Sequence, residues 1–328
     1  MGLKIKDIIK SEVISFEKIQ GKTIVVDGTN LLFKYLTKIR NNQQILLDYQ
    51  GNPVSHLIGF LYFIINLIER KVKPIFVFDG IPPREKHPYN YNKIKSLINA
   101  WKKYNSLGLN RKKSKYFEDG FFLYKYVIDD LINFIRKFGL PAIRAPSEGE
   151  AQAVRLVKEK KADGIISQDY DCLAFGCKKL YRQINFKINT LEYISLNKLL
   201  KELDITYLQF IDINILVGTD YNPGFKGFGP KTALKVIKKY GNIENMKNYY
   251  DFRNFDPKTV RHLFIHPITS EFDIHFGYPN FDSLKEYLLE KNFSLNRINN
   301  SLKRLRYAYK NFKVMQRKID DFFVLNLS

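Results

Sequence analysis

Three short apolar runs, each ending in an aspartate, constrain the fold of this chain more than any other feature of its sequence. The runs are rich in Val, Ile and Phe, span residues 23–27, 74–79 and 164–169, and end at Asp27, Asp79 and Asp169. Continuous runs of this kind are typical of strands in a parallel sheet that is covered on both faces. Ligands of such sheets bind in the crevice beyond the carboxyl ends of the strands. The sequence therefore predicts that three carboxylates meet at one edge of the sheet.

Helical patterns separate these runs, and strands that alternate with helices indicate an α/β fold with a mostly parallel central sheet flanked by helices. In this part of the chain, helices are predicted at residues 31–40, 54–71, 121–138 and 148–160. After about residue 195 the chain becomes mostly helical, with helices predicted at residues 195–203, 206–217, 231–240, 281–290 and 295–315.

The charge of the chain favours a polyanionic partner. The 328 residues include 54 Lys and Arg against 33 Asp and Glu, a formal net charge of +21. Nucleic acid is the commonest such partner and an anionic membrane surface the second, although an AT-rich genome also enriches Lys. With 45% hydrophobic residues the chain can bury a core, which excludes general disorder.

The sequence predicts an intracellular protein without a membrane-spanning segment. The longest apolar stretch, residues 57–68, is interrupted by Asn66, whereas crossing a bilayer takes roughly 20 apolar residues. The first residues are charged and contain no signal-peptide core. Two cysteines, Cys172 and Cys177, are too few for a disulfide framework.

Further acids lie on both sides of the third apolar run, one after it and two before it. Asp171 lies two residues after Asp169, on the same side of the chain if that stretch is extended. Glu148 and Glu150 lie at a predicted helix start, where the spacing from Ser147 matches a capping box that accounts for Glu150 but not for Glu148.

The acids together favour a metal site. Asp220 follows another predicted helix end. A single strand-end aspartate is more often a turn residue or a helix cap, but several together repel one another unless a cation lies among them. Oxygen ligands without His or Cys suit Mg²⁺, with Mn²⁺ as a substitute. Their number suits two ions roughly 4 Å apart, which can activate water and stabilise the leaving oxygen of a phosphodiester.

A glycine-rich loop joins two predicted helices near residue 225. Gly227 and Gly229 precede Pro230, and Lys231 and Lys235 follow. Gly229 permits a tight turn, and Pro230 fits a first helical position. Amides at a helix start can hold a phosphate, so this loop is predicted to hold the DNA backbone without sequence preference. The alternative is an ordinary helix–helix loop.

The segment 84–115 breaks the α/β pattern. It contains ten Lys or Arg and one acid, with Tyr and Trp side chains interleaved. Its alternatives are a solvated helical face and a nucleic-acid contact, because Lys neutralises phosphates and aromatic rings stack on unpaired bases.

Taken together, these motifs resemble the flap endonucleases of the structure-specific 5′ nuclease superfamily, most closely the archaeal kind. The resemblance covers nearly the whole chain and rests on the motifs at residues 25–30, 76–83, 145–153, 167–171 and 218–221. It implies a single nuclease domain over 1–315, with an arch or clamp insertion at 84–115 and a helix-two-turn-helix region at 206–240.

The resemblance also implies roles for individual residues. Seven acids would be catalytic metal ligands: Asp27, Asp79, Glu148, Glu150, Asp169, Asp171 and Asp220. Lys86 and Lys93 would contact the scissile phosphate, although the family commonly has Arg at the second position. Phe33 would stack on a base at the bend in the DNA unless it is a core residue, and Gly2 would lie close to the DNA. The helix-two-turn-helix region would also hold a monovalent cation such as K⁺.

The last motif lies in the segment 316–328. This segment contains a motif that resembles the peptide by which replication proteins bind the sliding clamp, and its residues are Gln316, Ile319, Phe322 and Phe323. The alternative is a terminal segment that docks on the core of its own domain.

The resemblance therefore implies a monomeric, Mg²⁺-dependent enzyme that cuts 5′ flaps of branched DNA in replication and repair, with 5′–3′ exonuclease activity. It would be cytoplasmic in an archaeon and nuclear in a eukaryote. The alternatives are a junction resolvase or a 5′–3′ exonuclease of the same fold, and a non-catalytic DNA-binding clamp adaptor. Loss of metal carboxylates would favour the adaptor, but all seven are present.

Overall fold

The computed structural model describes residues 3–38, 48–49, 54–81, 83, 86, 120–246 and 255–311. Within these residues seven strands form one sheet: β1 Glu12–Ser15, β2 Thr23–Asp27, β3 Lys73–Phe78, β4 Ala142–Arg144, β5 Gly164–Ile166, β6 Lys179–Asn185 and β7 Thr190–Ser195. The same residues contain eleven α-helices: α1 Gly28–Lys38, α2 Ser55–Glu69, α3 Gly120–Arg136, α4 Gly149–Lys158, α5 Asp171–Ala174, α6 Leu196–Leu203, α7 Tyr207–Val217, α8 Pro230–Tyr240, α9 Pro257–Ile265, α10 Phe281–Glu290 and α11 Leu295–Asn311.

The sheet has the order β1-β7-β6-β5-β2-β3-β4, and its five strands from β6 to β4 are parallel. Strand β2 lies between β3, where Val25 is opposite Ile75, and β5, where Val25 is opposite Ile165. The chain adds β3 and β4 on one side of β2 and then returns to place β5 on the other side. The carboxyl ends of β2 and β5 therefore flank the topological switch point, where parallel α/β sheets bind ligands.

Helices cover both faces of the sheet, which confirms the predicted fold class. Ile24 and Val26 face a core formed with α2, α3, α10 and α11, whereas Val25 faces a second core formed with α4 to α9. This alternation follows from the period of two along a strand. Among the described residues, no helix combines the length and the apolar character needed to cross a membrane.

Four of the strands were not predicted from the sequence. β6 and β7 form an antiparallel hairpin with partly exposed residues, and β1 pairs with β7 at the sheet edge. Such strands lack the continuous apolar runs that a doubly covered strand requires. β4 has only three residues, and β5 ends at Ile166, before the predicted end at Asp169.

Candidate active site

Three aspartates lie together at the carboxyl ends of neighbouring parallel strands. Asp27 ends β2, Asp79 directly follows β3, and Asp169 lies three residues beyond β5. Burial and the nearby carboxylates of Asp79 and Asp169 raise the pKa of Asp27 from 3.8 to about 7. The three side chains therefore share one electrostatic environment, as the strand ends predict.

Local hydrogen bonds fix the orientation of these aspartates. Asp27 Oδ1 accepts the amide of Asn30 at 2.9 Å and thereby caps α1, and its Oδ2 accepts the hydroxyl of Ser167 at 2.7 Å. Asp79 Oδ1 accepts the amide of Gly149 at 2.8 Å. The carboxylates are thus helix caps and members of an acid cluster at once, because each oxygen has more than one lone pair.

Glu148 and Glu150 lie at the N-terminus of helix α4, where the predicted capping box is wrong. Glu148 is the N-cap residue and makes no capping hydrogen bond with its own side chain. The carboxylate of Asp79 caps this helix instead, and a negative charge is favourable at a helix N-terminus. Ser147 does not provide the cap, so both glutamates are available to the cluster.

Burial is also the first cause of the raised pKa values of both glutamates. The pKa of Glu150 is well above its ordinary value, with Asp79 and Asp27 as further causes. The pKa of Glu148 is raised too, although Lys86 opposes the shift.

Asp169 and Asp171 come together through a tight turn and not through the extended stretch considered above. Tyr170 has helical angles (φ −77°, ψ −12°), and α5 begins at Asp171. The physical reason is local: Asp169 Oδ1 accepts the amide of Asp171 at 3.2 Å, a contact that favours turns over strands. Asp171 Oδ1 in turn accepts the amide of Leu3 at 2.9 Å, which attaches the N-terminal segment to the cluster. Burial, Asp169 and Asp220 raise the pKa of Asp171 well above its ordinary value.

Lys86 connects the remaining acids. Its Nζ lies 2.8 Å from Glu148 Oε1 and 3.1 Å from Asp220 Oδ2, and its side chain is only 12% exposed. Burial alone would lower the pKa of Lys86, but Glu148, Glu150 and Asp220 raise it well above the ordinary value. The ammonium group therefore stays charged and compensates part of the negative charge of the cluster.

The seven acids predicted as metal ligands thus form one electrostatically linked group. Among the described residues, no three Asp, Glu, His or Cys side chains form a ready-made metal-binding group. The donor set nevertheless fits hard divalent cations, because it consists of carboxylate oxygens whose burial and mutual repulsion call for positive charge. Lys86 already supplies one such charge between two of the acids.

Two further residues contact the acids, although no motif singled them out for a role. The hydroxyl of Tyr221 donates to Glu148 Oε2 at 2.8 Å. Ser167 Oγ accepts the amide of Asp169 at 3.0 Å while donating to Asp27, so it links two strand ends. Tyr221 directly follows Asp220 and Ser167 lies two residues before Asp169, and this short distance from an acid is the only sequence signal for either residue.

The glycine-rich loop lies between α7 and α8. Pro230 is the first residue of α8 after the N-cap Gly229, and Lys231 and Lys235 are exposed on that helix. Two glycines of the loop have a positive φ, Gly224 at +74° and Gly227 at +84°, and a side chain at Gly227 would meet nothing within 4 Å. Gly229 was expected to permit the tight turn, but its φ is −89°.

The structure describes only some of the other predicted site residues. Phe33 lies on α1 and is partly exposed. Gly2, Lys93, the other residues of the segment 84–115 except Lys86, and the tail residues Gln316, Ile319, Phe322 and Phe323 lie outside the described residues.

Two protein-family models match this chain. The XPG N-terminal domain matches residues 1–95 and the XPG I-region matches residues 139–220, which together include all seven acids. Flap endonuclease 1 of Methanobrevibacter smithii is 36% identical over 332 residues, 98% of this chain and 100% of the relative. The chain belongs to the flap endonuclease 1 family. The Saccharolobus solfataricus relative of the same name is 37% identical over 339 residues and covers 96% of each chain.

Solved structures share the fold of this chain. The flap endonuclease 1 of Methanococcus jannaschii matches with a TM-score of 0.75 and 28% identity, over 94% of this chain and 99% of that one. The catalytic core of Rad2 in complex with a DNA substrate matches with a TM-score of 0.73 over 93% of this chain, but at 22% identity it shows the fold alone.

Proposed function

We propose that this chain is a structure-specific endonuclease that hydrolyses a phosphodiester of DNA near the base of a 5′ flap, with 5′–3′ exonuclease activity, in replication and repair. The observation that carries the proposal is the linked group of seven carboxylates at the carboxyl ends of the parallel strands, with Lys86 between Glu148 and Asp220. Relatives that match along nearly their whole length are named flap endonuclease 1.

The proposed cofactor is a pair of Mg²⁺ ions, with Mn²⁺ as a substitute. The seven acids would hold them, and the ions would supply Lewis acidity and a nucleophile at neutral pH. A related structure at 18% identity, the junction-resolving enzyme GEN1, is described with product DNA and a Mg²⁺ ion. K⁺ at the loop between α7 and α8 stays a prediction.

Around the cations, the residues of the chain orient the site and the substrate. Lys86 has three N–H groups, of which two face Glu148 and Asp220, and the third can donate to an oxygen of the scissile phosphate. Tyr221 fixes the orientation of Glu148, and Ser167 fixes Asp27 relative to Asp169. Groups held in this way stabilise developing negative charge without having to reorganise during the reaction.

Duplex DNA would be held at a distance from the acids. The amides at the start of α8 can bind a backbone phosphate, with the exposed Lys231 and Lys235 adding positive charge. Phe33 would contact the bases near the junction, Gly2 would lie near the DNA, and the 84–115 segment with Lys93 would surround the 5′ strand. These four assignments rest on the resemblance of the motifs and stay predictions.

The tail assignment also stays a prediction. We propose that Gln316, Ile319, Phe322 and Phe323 bind the sliding clamp, that residues 1–315 form the nuclease domain, and that the enzyme works as an intracellular monomer. Buried aromatic side chains are typical interface hot spots. Replacing both phenylalanines by alanine should abolish stimulation by the clamp and leave cleavage of a free oligonucleotide flap unchanged.

A substrate panel tests the proposed function. Purified protein with Mg²⁺ is offered a 5′ flap, a 3′ flap, a nick, a four-way junction and plain duplex of matched sequence. We expect rapid endonucleolytic cleavage of the 5′ flap and at most slow removal of 5′ nucleotides from the nick and the duplex. Preferred, paired incision of the four-way junction would instead indicate a resolvase, and absence of any cleavage would indicate the non-catalytic adaptor.

A further inference from the structure

The loop from Ser167 to Tyr170 bears Asp169 and leads directly into Asp171, and one arginine holds it from outside the acid cluster. Arg182 on β6 donates from Nε and Nη2 to the carbonyl oxygen of Gln168, at 3.2 and 2.9 Å. Its guanidinium carbon lies 3.7 Å from the centroid of the Tyr170 ring. Gln168 and Tyr170 are the two chain neighbours of Asp169, so Arg182 contacts the loop on both sides of this acid.

The local shape of β6 places Arg182 in this position. The pairing of β6 with β7 shifts register between Arg182 and Asn185, and Gln183 has a φ of +45°. Such irregularities re-aim side chains. The amide of Gln183 donates to Gln168 Oε1 at 3.4 Å, and Glu192, opposite Arg182 on β7, accepts from Arg182 Nη1 at 3.4 Å. Arg182 is 8% exposed, and its three nitrogens all contact protein groups.

The position of this loop sets the distance between the acids. Ser167 links Asp27 to the amide of Asp169, and Asp169 accepts the amide of Asp171. A shift of the loop therefore moves both Asp169 and Asp171 relative to Asp27. Displacement of catalytic groups by about 1 Å can reduce the rate about 100-fold.

We propose that Arg182 is a positioning residue, which holds the loop from Ser167 to Tyr170 so that Asp169 and Asp171 face the same cations as Asp27. The role depends on the planar guanidinium group, which donates two N–H groups to the Gln168 carbonyl while its plane lies over the Tyr170 ring. The ammonium group of a lysine is not planar and cannot make both contacts in this way. The inference rests on the proposed function, since it assigns Arg182 to the metal-binding cluster.

The variant Arg182→Lys tests the proposal because it keeps the positive charge and removes the planar guanidinium group. A matched control exists in Arg70→Lys. Arg70 also donates to a backbone carbonyl, that of Phe186, and lies over the rings of Phe16 and Phe186. It differs from Arg182 in its position, because it is the C-cap residue of α2. Each variant is measured for Mg²⁺ binding without DNA by calorimetry, for affinity to a 5′ flap, for single-turnover cleavage and for melting temperature.

We expect Arg182→Lys to weaken Mg²⁺ binding and to slow cleavage, each by about 10-fold to 100-fold, the usual effect of removing a residue that orients metal ligands. Affinity for the flap should change less than about twofold, and Arg70→Lys should bind Mg²⁺ like the wild type. If Arg182→Lys fails to fold, Tyr170→Leu removes the ring contact alone and should weaken Mg²⁺ binding in the same direction.

The outcomes distinguish this inference from the proposed function. Wild-type Mg²⁺ binding by Arg182→Lys, or an equal loss in Arg70→Lys, would overturn the positioning role while leaving flap cleavage by the wild type intact. A wild-type protein that cleaves no flap would overturn the proposed function, and the binding measurement would still decide whether Arg182 positions the acids.

Discussion

Lys86 Nζ lies 2.8 Å from Glu148 Oε1 inside a cluster of acids, which makes this lysine part of the electrostatic structure of the site as well as a candidate contact for the scissile phosphate. Asp220 flanks the same ammonium at 3.1 Å. Without the ammonium, these carboxylates would be buried with less compensation, and breaking a buried ion pair is strongly destabilising.

The first prediction concerns the removal of this charge. Lys86→Met should lower the stability of the metal-free protein by about 3 kcal/mol, because it leaves Glu148 and Asp220 without their cation. Melting in EDTA measures the effect. Mg²⁺ should raise the melting temperature of Lys86→Met more than that of the wild type, whereas Lys86→Arg should resemble the wild type in both conditions. Equal melting of Lys86→Met and wild type in EDTA would mean that the lysine does not stabilise the cluster.

The second prediction concerns pH. The pKa of Asp27 is raised from 3.8 to about 7, so the folded state holds its proton more tightly than the unfolded state does. The stabilisation is complete below about pH 4 and is lost as the pH rises through 7. In EDTA, the melting temperature of the wild type should therefore fall between pH 5 and pH 8, and Asp27→Asn should be more stable than the wild type at pH 8.

Asp163→Asn is the control for the pH experiment. Asp163 accepts the amide of Thr23 at 2.9 Å at the opposite end of β2, away from the acids. It should not change the slope of melting temperature against pH. A wild-type slope in Asp27→Asn would show that another group titrates in this range.

The third prediction separates holding the DNA from cutting it. Lys231→Ala with Lys235→Ala should weaken duplex binding and lower the slope of log affinity against log salt by roughly 1.8, because two fewer phosphates are neutralised. The single-turnover rate at saturating enzyme should fall much less. Lys238→Ala with Lys239→Ala, at the other end of α8, provides the matched control. Collapse of the rate with unchanged affinity would place Lys231 and Lys235 in the chemistry instead.

The fourth prediction concerns Tyr221, whose hydroxyl donates to Glu148 while its ring packs edge-on against Phe264. Tyr221→Phe keeps the packing and removes the hydrogen bond, so cleavage should slow about 10-fold with little change in melting temperature. Tyr207→Phe removes a comparable hydrogen bond to the carbonyl of Ala174 and should leave the rate unchanged. Equal rates for Tyr221→Phe and wild type would exclude an orienting role for this hydroxyl.

The sequence predicts the three central parallel strands β2, β3 and β5, because each of them is a continuous apolar run. It predicts the acid cluster for the same reason: carboxyl ends of adjacent parallel strands meet, so Asp27 and Asp79 are brought together by topology alone. The capping of α4 could not be predicted from the sequence. The capping carboxylate belongs to Asp79, which is 70 residues away along the chain, and not to the neighbouring Ser147. The half-exposed hairpin of β6 and β7 carries no such apolar signal, and the placement of Arg182 depends on its irregular pairing.

The central claim is that the acid cluster cuts the DNA and does not merely bind it, and Asp169→Asn tests this claim most directly. The amide side chain retains an oxygen that can accept the amide of Asp171, as Asp169 does at 3.2 Å, so the loop should keep its shape. Single-turnover cleavage of a 5′ flap in Mg²⁺ is compared with the affinity for the same flap, and Asp163→Asn is the control. The account predicts a loss of rate on the order of 1,000-fold, equal to about 4 kcal/mol of activation free energy, with affinity unchanged or tighter because one negative charge near the phosphate is gone. Near-normal Mg²⁺-dependent cleavage by Asp169→Asn would contradict it.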